Sequence, residues 1–431
     1  MRIPPLSGVP SPEDSSREWG RWRLAIETVV TRGPFRALRS RDFRLLWAGL
    51  AVSAVGTWIQ LVALSWLVWE LTLSPFYLGL VGFSRAAPVL LLSLVGGVLA
   101  DRLDRRRLLL ATQSAMMVLA FLLGALVALG LADVWIMLAI SLLSSVAMAF
   151  DMPARHSLVP ELVDRDDVIS AISLNSAAFN AAGVVGPAVG GVLVASVGGA
   201  VCFFLNGVSF LAVVLALLAM RLRPGQRTAD DRNGQTLGHG LAYIWKTAPV
   251  LGILVATGTA GMLGRPYSQL MPVFAEQVHH VGATGLGTLL SASGLGSVGG
   301  ALVAASLGHV ARKGLFILGG VTLFGMTLVL FAVTTSYAVA IGLLVLVGGL
   351  NTFYMSTANT TLQMYVPPSL RGRVLSVYTM TAIGFMPLGS MVLGSVGTLV
   401  GVPQVVLIGG LATAVVAVLV ALRVPSLLKL E

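Results

Sequence analysis

Charge is scarce in this sequence: Asp, Glu, Lys and Arg make up 11% of its 431 residues, against about 25% in soluble globular chains. That scarcity excludes a water-exposed surface of ordinary size. Cysteine is nearly absent too. Cys202 stands alone, so no disulfide can close within the chain and no cysteine-based metal centre can form. Acidic residues avoid the middle of every apolar run: Glu70, Asp133 and Glu276 fall toward one end of their runs, Asp101 and Asp151 toward the other. No phosphate loop, nucleophile–base pair or metal-ligand spacing lies within the runs, which argues against an enzyme and against ATP as an energy source. One string, Gly294-Leu-Gly296-Ser-Val-Gly299, has dinucleotide-loop spacing, but no strand precedes it and no acid follows about 20 residues on. It reads as helix packing, because Gly296, Gly300, Ala304 and Gly308 recur every four residues as a small-residue stripe. No cofactor and no metal site are therefore expected.

What is abundant is apolar sequence, 56% of the chain, in runs long enough to cross a bilayer, which takes about 20 residues. Hydropathy places helices at 43–70, 76–100, 107–130, 133–154, 166–197 and 199–220, then at 248–277, 282–309, 313–334, 337–365, 369–398 and 402–422. The expected organisation is a basic tail (1–42), a six-helix half (43–221), a polar linker (222–247), a second six-helix half (248–423) and a short tail (424–431). The net charge of +10 would suit nucleic acid or a membrane surface, and position decides between them. All but two of the 28 basic residues fall in the tails, the linker, the even-numbered connections or the helix ends next to them. That is the positive-inside pattern. It predicts a multi-pass protein of a bacterial-type plasma (inner) membrane with both termini cytoplasmic, embedded in lipid and not bound to nucleic acid. Residues 1–42 lack the short apolar core and small-residue site of a cleavable leader. Within them Trp19, Trp22, Ile26, Val29 and Val30 interleave with Arg17, Arg21 and Arg23, as in a helix lying on the inner leaflet or in a disordered tail.

The two halves echo each other. Val159-Pro160 and Val366-Pro367 each introduce an arginine (Arg165, Arg371), a helix with an internal X-Pro (Gly186-Pro187, Met386-Pro387) and a Ser-Val-Gly ending. These are helices five and eleven, six spans apart, so the halves share one orientation. Parallel repeats with a site at their interface describe a large transporter architecture.

Residues 97–106, GVLADRLDRR, resemble the signature between helices two and three of the major facilitator superfamily, with Gly97, Asp101, Arg102, Arg105 and Arg106 in place and Asp104 where a second glycine is usual. The resemblance implies an all-α polytopic fold of twelve transmembrane helices in two pseudo-symmetric halves, acting as a monomer. It further implies a latch, in which Asp101 reaches the N-terminus of helix eleven and Arg105 bridges Asp101 to Asp151 at the end of helix four. Gly186, Pro187, Gly190 and Gly191 resemble the helix-five signature of exporters in the superfamily, with Ala182 where a leading glycine is usual; small residues there permit a close seam or hinge. Helices one to six resemble the drug:proton antiporter branch that includes the enterobactin and macrolide exporters.

In that fold helices one, four, seven and ten line the cavity, which nominates Trp58, Gln60, Arg265, Gln269, Asn351 and Tyr354 as substrate contacts. Arg85 and Arg265 are the two basic residues inside spans, and intramembrane charge is a functional candidate by default. They predict a cavity that prefers anionic or neutral amphiphiles, unless they pair with Glu70 or Glu276 or bond backbone carbonyls. Glu70 and Glu276 are the candidate proton sites. The function expected is proton-gradient-driven export of small amphiphiles, of drug or siderophore type, by alternating access. A lipid translocator, an importer or a non-transporting receptor are the alternatives.

Overall fold

The computed structural model describes residues 35–220, 237–307, 312–428 and 430, with side chains except at 93–95, 98, 100–102 and 237–240. The amphipathic reading of the tail therefore falls outside the described residues. Twelve helices are long and apolar enough to span a bilayer, and no strand occurs among the described residues. Helices one to six are Arg41–Thr72, Pro75–Arg102, Arg105–Ala128, Val134–Leu158, Val168–Val197 and Gly199–Ala219. Helix seven starts as Ala248–Thr259 and continues irregularly to Val278, helices eight to ten are Gly282–Ser306, Lys313–Val333 and Tyr337–Tyr365, and helix twelve is Val402–Arg423. Polar side chains cap the starts where sequence allows: Ser40 accepts from Phe43 N at 3.3 Å, Asp104 from Arg107 N at 2.9 Å and Asp133 from Ile136 N at 2.8 Å. Asp104 thus replaces the signature glycine with an N-cap that satisfies a helix-start donor.

Two spans depart from the uninterrupted runs expected. Helix eleven is broken into Pro368–Ala382 and Met386–Val400. Helix seven passes through a wide turn, Ala260–Gly264, and a tight one, Arg265–Leu270. Proline is the cause in helix seven: Pro266 and Pro272 carry no N–H for the carbonyls of Met262 and Ser268 four residues back. The freed carbonyls have a use. Ala149 O, Gly183 O and Met262 O, each four residues before a proline, face Gly96, Gly294 and Gly389 of a neighbouring helix, where a Cβ would overlap the oxygen. Proline opens the carbonyl and glycine lets a second backbone approach it, a contact that Cα–H donors can support.

The halves repeat one packing scheme. Helix two lies on four, three on six and three on four in the first half, as eight lies on ten, nine on twelve and nine on ten in the second. Between halves, helix five packs on eight and helix two on the second part of eleven. Both seams are glycine on glycine at one end of the molecule. A Cβ on Gly191 would sit 2.9 Å from Gly287 Cα, and one on Gly394 would sit 3.0 Å from Gly79 Cα. That end is opposite the 220–237 linker and is called the far side. At the linker side, Ile169 of helix five and Leu302 of helix eight are exposed.

Candidate functional site

Between the halves lies a cavity of about 530 Å³, within the range of small-molecule sites. Trp58 from helix one, Arg265 and Gln269 from helix seven and Asn351 from helix ten line it, as does Arg85 from helix two. The far-side seams close its roof. A second chamber of about 110 Å³ lies inside the first half, and Thr57, Leu61, Arg85, Met148 and Phe179 border both spaces. The two are therefore neighbours across one wall, which carries Arg85.

Two nominated residues sit elsewhere. Gln60 faces the smaller chamber, where its Oε1 accepts from Asn206 Nδ2 at 2.6 Å. Tyr354 is fully buried: its ring packs edge-on against Phe324, with centroids 5.6 Å apart, and its hydroxyl donates to Asn351 Oδ1 at 3.0 Å. It orients the Asn351 amide instead of touching the cavity. The sequence reading missed Phe179 and Asn180 of helix five, Ser293 and Ser297 of helix eight and Met386 of helix eleven. An asparagine in mid-span, four residues after Ser176 and three before Gly183, was the one legible sign of that wall.

The two intramembrane arginines differ. Arg265 donates from a terminal nitrogen to Ala382 O at 2.9 Å. Ala382 is the last residue of the first part of helix eleven, and Met386 N–H, which a continuous helix would aim at Ala382 O, goes to Ile383 O instead. Arg265 therefore holds an orphan carbonyl at the negative end of a helix. Arg85 makes no hydrogen bond or ion pair with the described residues. Neither reaches Glu70 or Glu276. Both acids are exposed at the far side, and Glu70 accepts from Trp66 Nε1 at 2.7 Å. No carboxylate lines the 530 Å³ cavity among the described residues, so its two charges are both positive.

At the linker side the charges pair differently from the expected latch. Asp151 is fully buried, accepting from Thr112 Oγ1 at 3.1 Å and Gln113 Nε2 at 2.7 Å, and its ion-pair partner is Arg155, one helical turn on. Arg105 pairs with Glu161 beyond the end of helix four. Arg106 donates to Leu217 O at 2.7 Å and Leu218 O at 3.0 Å, fastening helix three to the end of helix six. Gly97 has open space where a Cβ would go. The side chains of Asp101 and Arg102 lie outside the described residues. In helix five, Gly186 and Gly190 pack on helix one, where a Cβ on Gly190 would lie 3.1 Å from Ile59 Cα, while Gly191 faces helix eight. The Pro187 region thus joins helix five to one helix of each half.

Burial ranks the two ion pairs. Removing one member of a buried pair leaves the other uncompensated, and Arg155 keeps 24% of its side chain exposed. Asp151→Asn is therefore expected to cost about 3 kcal/mol, the low end for such pairs. Glu161→Gln removes a partner that is 40% exposed and should cost about 0–1 kcal/mol. Melting curves of the two purified variants in detergent check the order.

The comparisons with known proteins agree with this architecture. The chain is 26% identical over 361 residues to the staphyloferrin A transporter of Staphylococcus aureus, covering 83% of this chain and 90% of the relative. It is 28% identical over 424 residues to the multidrug efflux pump Tap of Mycolicibacterium fortuitum (94% and 98%) and 24% identical over 415 residues to the enterobactin exporter EntS of Citrobacter koseri (94% and 95%). Its fold matches the crystal structure of a bacterial homolog of the human lysosomal transporter Spinster, inward-facing and unoccupied, with a TM-score of 0.73 at 14% identity over 91% of this chain and 98% of that one. The family model described as "Transmembrane secretion effector" matches residues 32–430. With twelve apolar helices in two repeated halves and that match over nearly its whole length, the chain belongs to the transmembrane secretion effector family of the major facilitator superfamily, a family of membrane transporters and not of enzymes.

Proposed function

We propose that this protein exports small anionic or neutral amphiphiles from the cytoplasm across a bacterial inner membrane, driven by the proton gradient through alternating access. The observation that carries the substrate class is the cavity wall: two guanidiniums, one from each half, with aromatic and amide neighbours and no carboxylate. Arginine recognises carboxylate and similar oxyanions by paired, charge-assisted hydrogen bonds, and Trp58 and Phe179, with ring centroids 6.3 Å apart, offer apolar surface for stacking. The relatives that carry siderophores support the same class, since siderophore-type chelators are oxygen-rich acids. Alternating access is supported by the asymmetry of the two ends. The far side is held by glycine-on-glycine seams between the halves that have no counterpart among the described residues at the linker side, and the basic linker and even-numbered connections favour a cytoplasmic linker side. For the proton, Glu70 and Glu276 stand at the far mouth, and Asp151 borders the inner chamber.

Purified protein in liposomes tests the reading with two fluorescent probes, the anion 8-anilinonaphthalene-1-sulfonate and the cation rhodamine 6G, under an imposed pH gradient. The anion is expected to be moved and a protonophore to stop it. Transport of the cation alone, or transport of the anion that ignores the gradient, would overturn the proposal.

A further inference from the structure

Among the described residues, three charged side chains are classed with the buried interior: Asp151, Asp167 and Lys313. The first two have an opposite charge in contact, Arg155 for Asp151 and Arg36, at 2.9 Å, for Asp167. Lys313 has none. It is 9% exposed, and among the described residues its ammonium reaches only the thioether of Met364, at 3.7 Å. A thioether is a weak acceptor, and an ammonium removed from water without a counter-charge is strongly disfavoured. Lys313 is also the first residue of helix nine, so the positive end of the helix dipole adds to its own charge.

The lysine borders a cavity of about 360 Å³. Helices eight and nine both pack extensively on helix ten, and residues of all three line this space, a cleft between eight and nine with helix ten as its floor, at the linker side. Its walls are divided by chemistry. Ser356 and Thr360 of helix ten present hydroxyls that bond no described residue. Ala304 of helix eight and the edge-to-face pair Phe316 and Phe353, with centroids 6.2 Å apart, supply the apolar part. No acid lines the cleft among the described residues. Its flank carries Leu315 of helix nine, exposed as lipid-facing residues are.

We infer that this cleft binds an anionic phospholipid of the linker-side leaflet, with the lipid phosphate on the Lys313 ammonium and the Ser356 and Thr360 hydroxyls, and an acyl chain along Phe316 and Ala304. The charge balance selects the class. The site holds one fixed cation, hydroxyl donors and an apolar trough, and it lacks any carboxylate to receive the ammonium of a zwitterionic headgroup. The occupant supplies the counter-charge that no described residue gives Lys313. This inference does not depend on the proposed direction, cargo or energy source of transport.

Delipidated protein in detergent, analysed by native mass spectrometry and by thermal unfolding, tests it with dioleoylphosphatidylglycerol, dioleoylphosphatidylcholine and inorganic phosphate as separate probes. Phosphatidylglycerol is expected to add a retained lipid and raise the melting temperature of the wild type. Lys313→Met should weaken that binding about tenfold, the loss of one charge-assisted contact, while Lys313→Arg retains it. Without lipid, Lys313→Met should melt no lower than the wild type, because it removes an unpaired charge. Ala304→Phe fills the trough with Lys313 intact and should lose the lipid as well. Undiminished phosphatidylglycerol binding by Lys313→Met and by Ala304→Phe would overturn the site. Equal stabilisation by phosphatidylcholine would overturn the headgroup recognition, and equal stabilisation by inorganic phosphate would make this a free-anion site and overturn the lipid.

Discussion

Gly287→Val is expected to stop transport of the anionic dye while leaving the protein folded. Gly287 meets Gly191 across the far-side seam, and an added Cβ would overlap Pro187 O and sit 2.9 Å from Gly191 Cα. Backbone cannot move aside as a flexible side chain does, so the neighbouring helix must retreat. Overpacking of this kind costs about 1–3 kcal/mol, which is about one to two powers of ten in the population of the far-side-closed state. The helices within each half keep their own contacts, so the loss falls on the equilibrium between states and not on folding. Spin labels at Leu71 and Val339, exposed near the far-side ends of helices one and ten, in a Cys202→Ser background, would report it as a shift to longer distances. Gly79→Val in the second seam should act in the same way. An unchanged distance distribution with normal dye transport would mean that the seams do not control closure.

The spans were legible because a bilayer imposes a length and a polarity that hydropathy reads directly. The faces of the spans were not. Lipid and protein interior are equally apolar, so helix eight, polar on no side, gave no sign that Ser293 and Ser297 line the cavity, and Tyr354 could not be told from a cavity residue although it turns to Phe324. Helix breaks were half legible. Prolines 187, 266 and 387 stand plainly in the sequence, yet helix five continues through Pro187 while helices seven and eleven are distorted near theirs. The freed carbonyls of helices five and seven both meet a neighbouring glycine, Gly294 and Gly389, so the presence of proline and its glycine partner does not by itself tell a continuous span from a distorted one. The linker-side charges show the same limit from another direction. Asp151 and Arg155 are four apart on one helix, a spacing that favours pairing, but the signature drew attention to Arg105, whose partner Glu161 lies past the helix end where register no longer predicts contact.

Arg265→Met is expected to do more damage than Arg85→Met, although both remove one positive charge from the same cavity. A charge-assisted hydrogen bond to a bound anion contributes about 1.5–3 kcal/mol, so either substitution should weaken binding of the anionic dye about ten- to hundredfold. Arg85 has no hydrogen-bond or ion-pair partner among the described residues, and its loss should appear as a raised KM with the protein's resting conformation unchanged. Arg265 has a second task. It satisfies Ala382 O at 2.9 Å, at the break between the two parts of helix eleven, the helix whose second part forms a far-side seam with helix two. A bound anion competes with that carbonyl for the same guanidinium, so occupancy of the cavity and the hold on the broken helix are linked through one side chain. Removing Arg265 should therefore shift the distance between labels at Ile169 and Met364, exposed near the linker-side ends of helices five and ten, even with no dye present. Arg265→Gln separates the tasks. It keeps a donor for Ala382 O but carries no charge, and is expected to lose dye affinity like Arg85→Met while retaining the wild-type distances. If Arg265→Met leaves the ligand-free distances unchanged, the arginine is a binding residue alone and the break in helix eleven is governed by Pro387 and its packing.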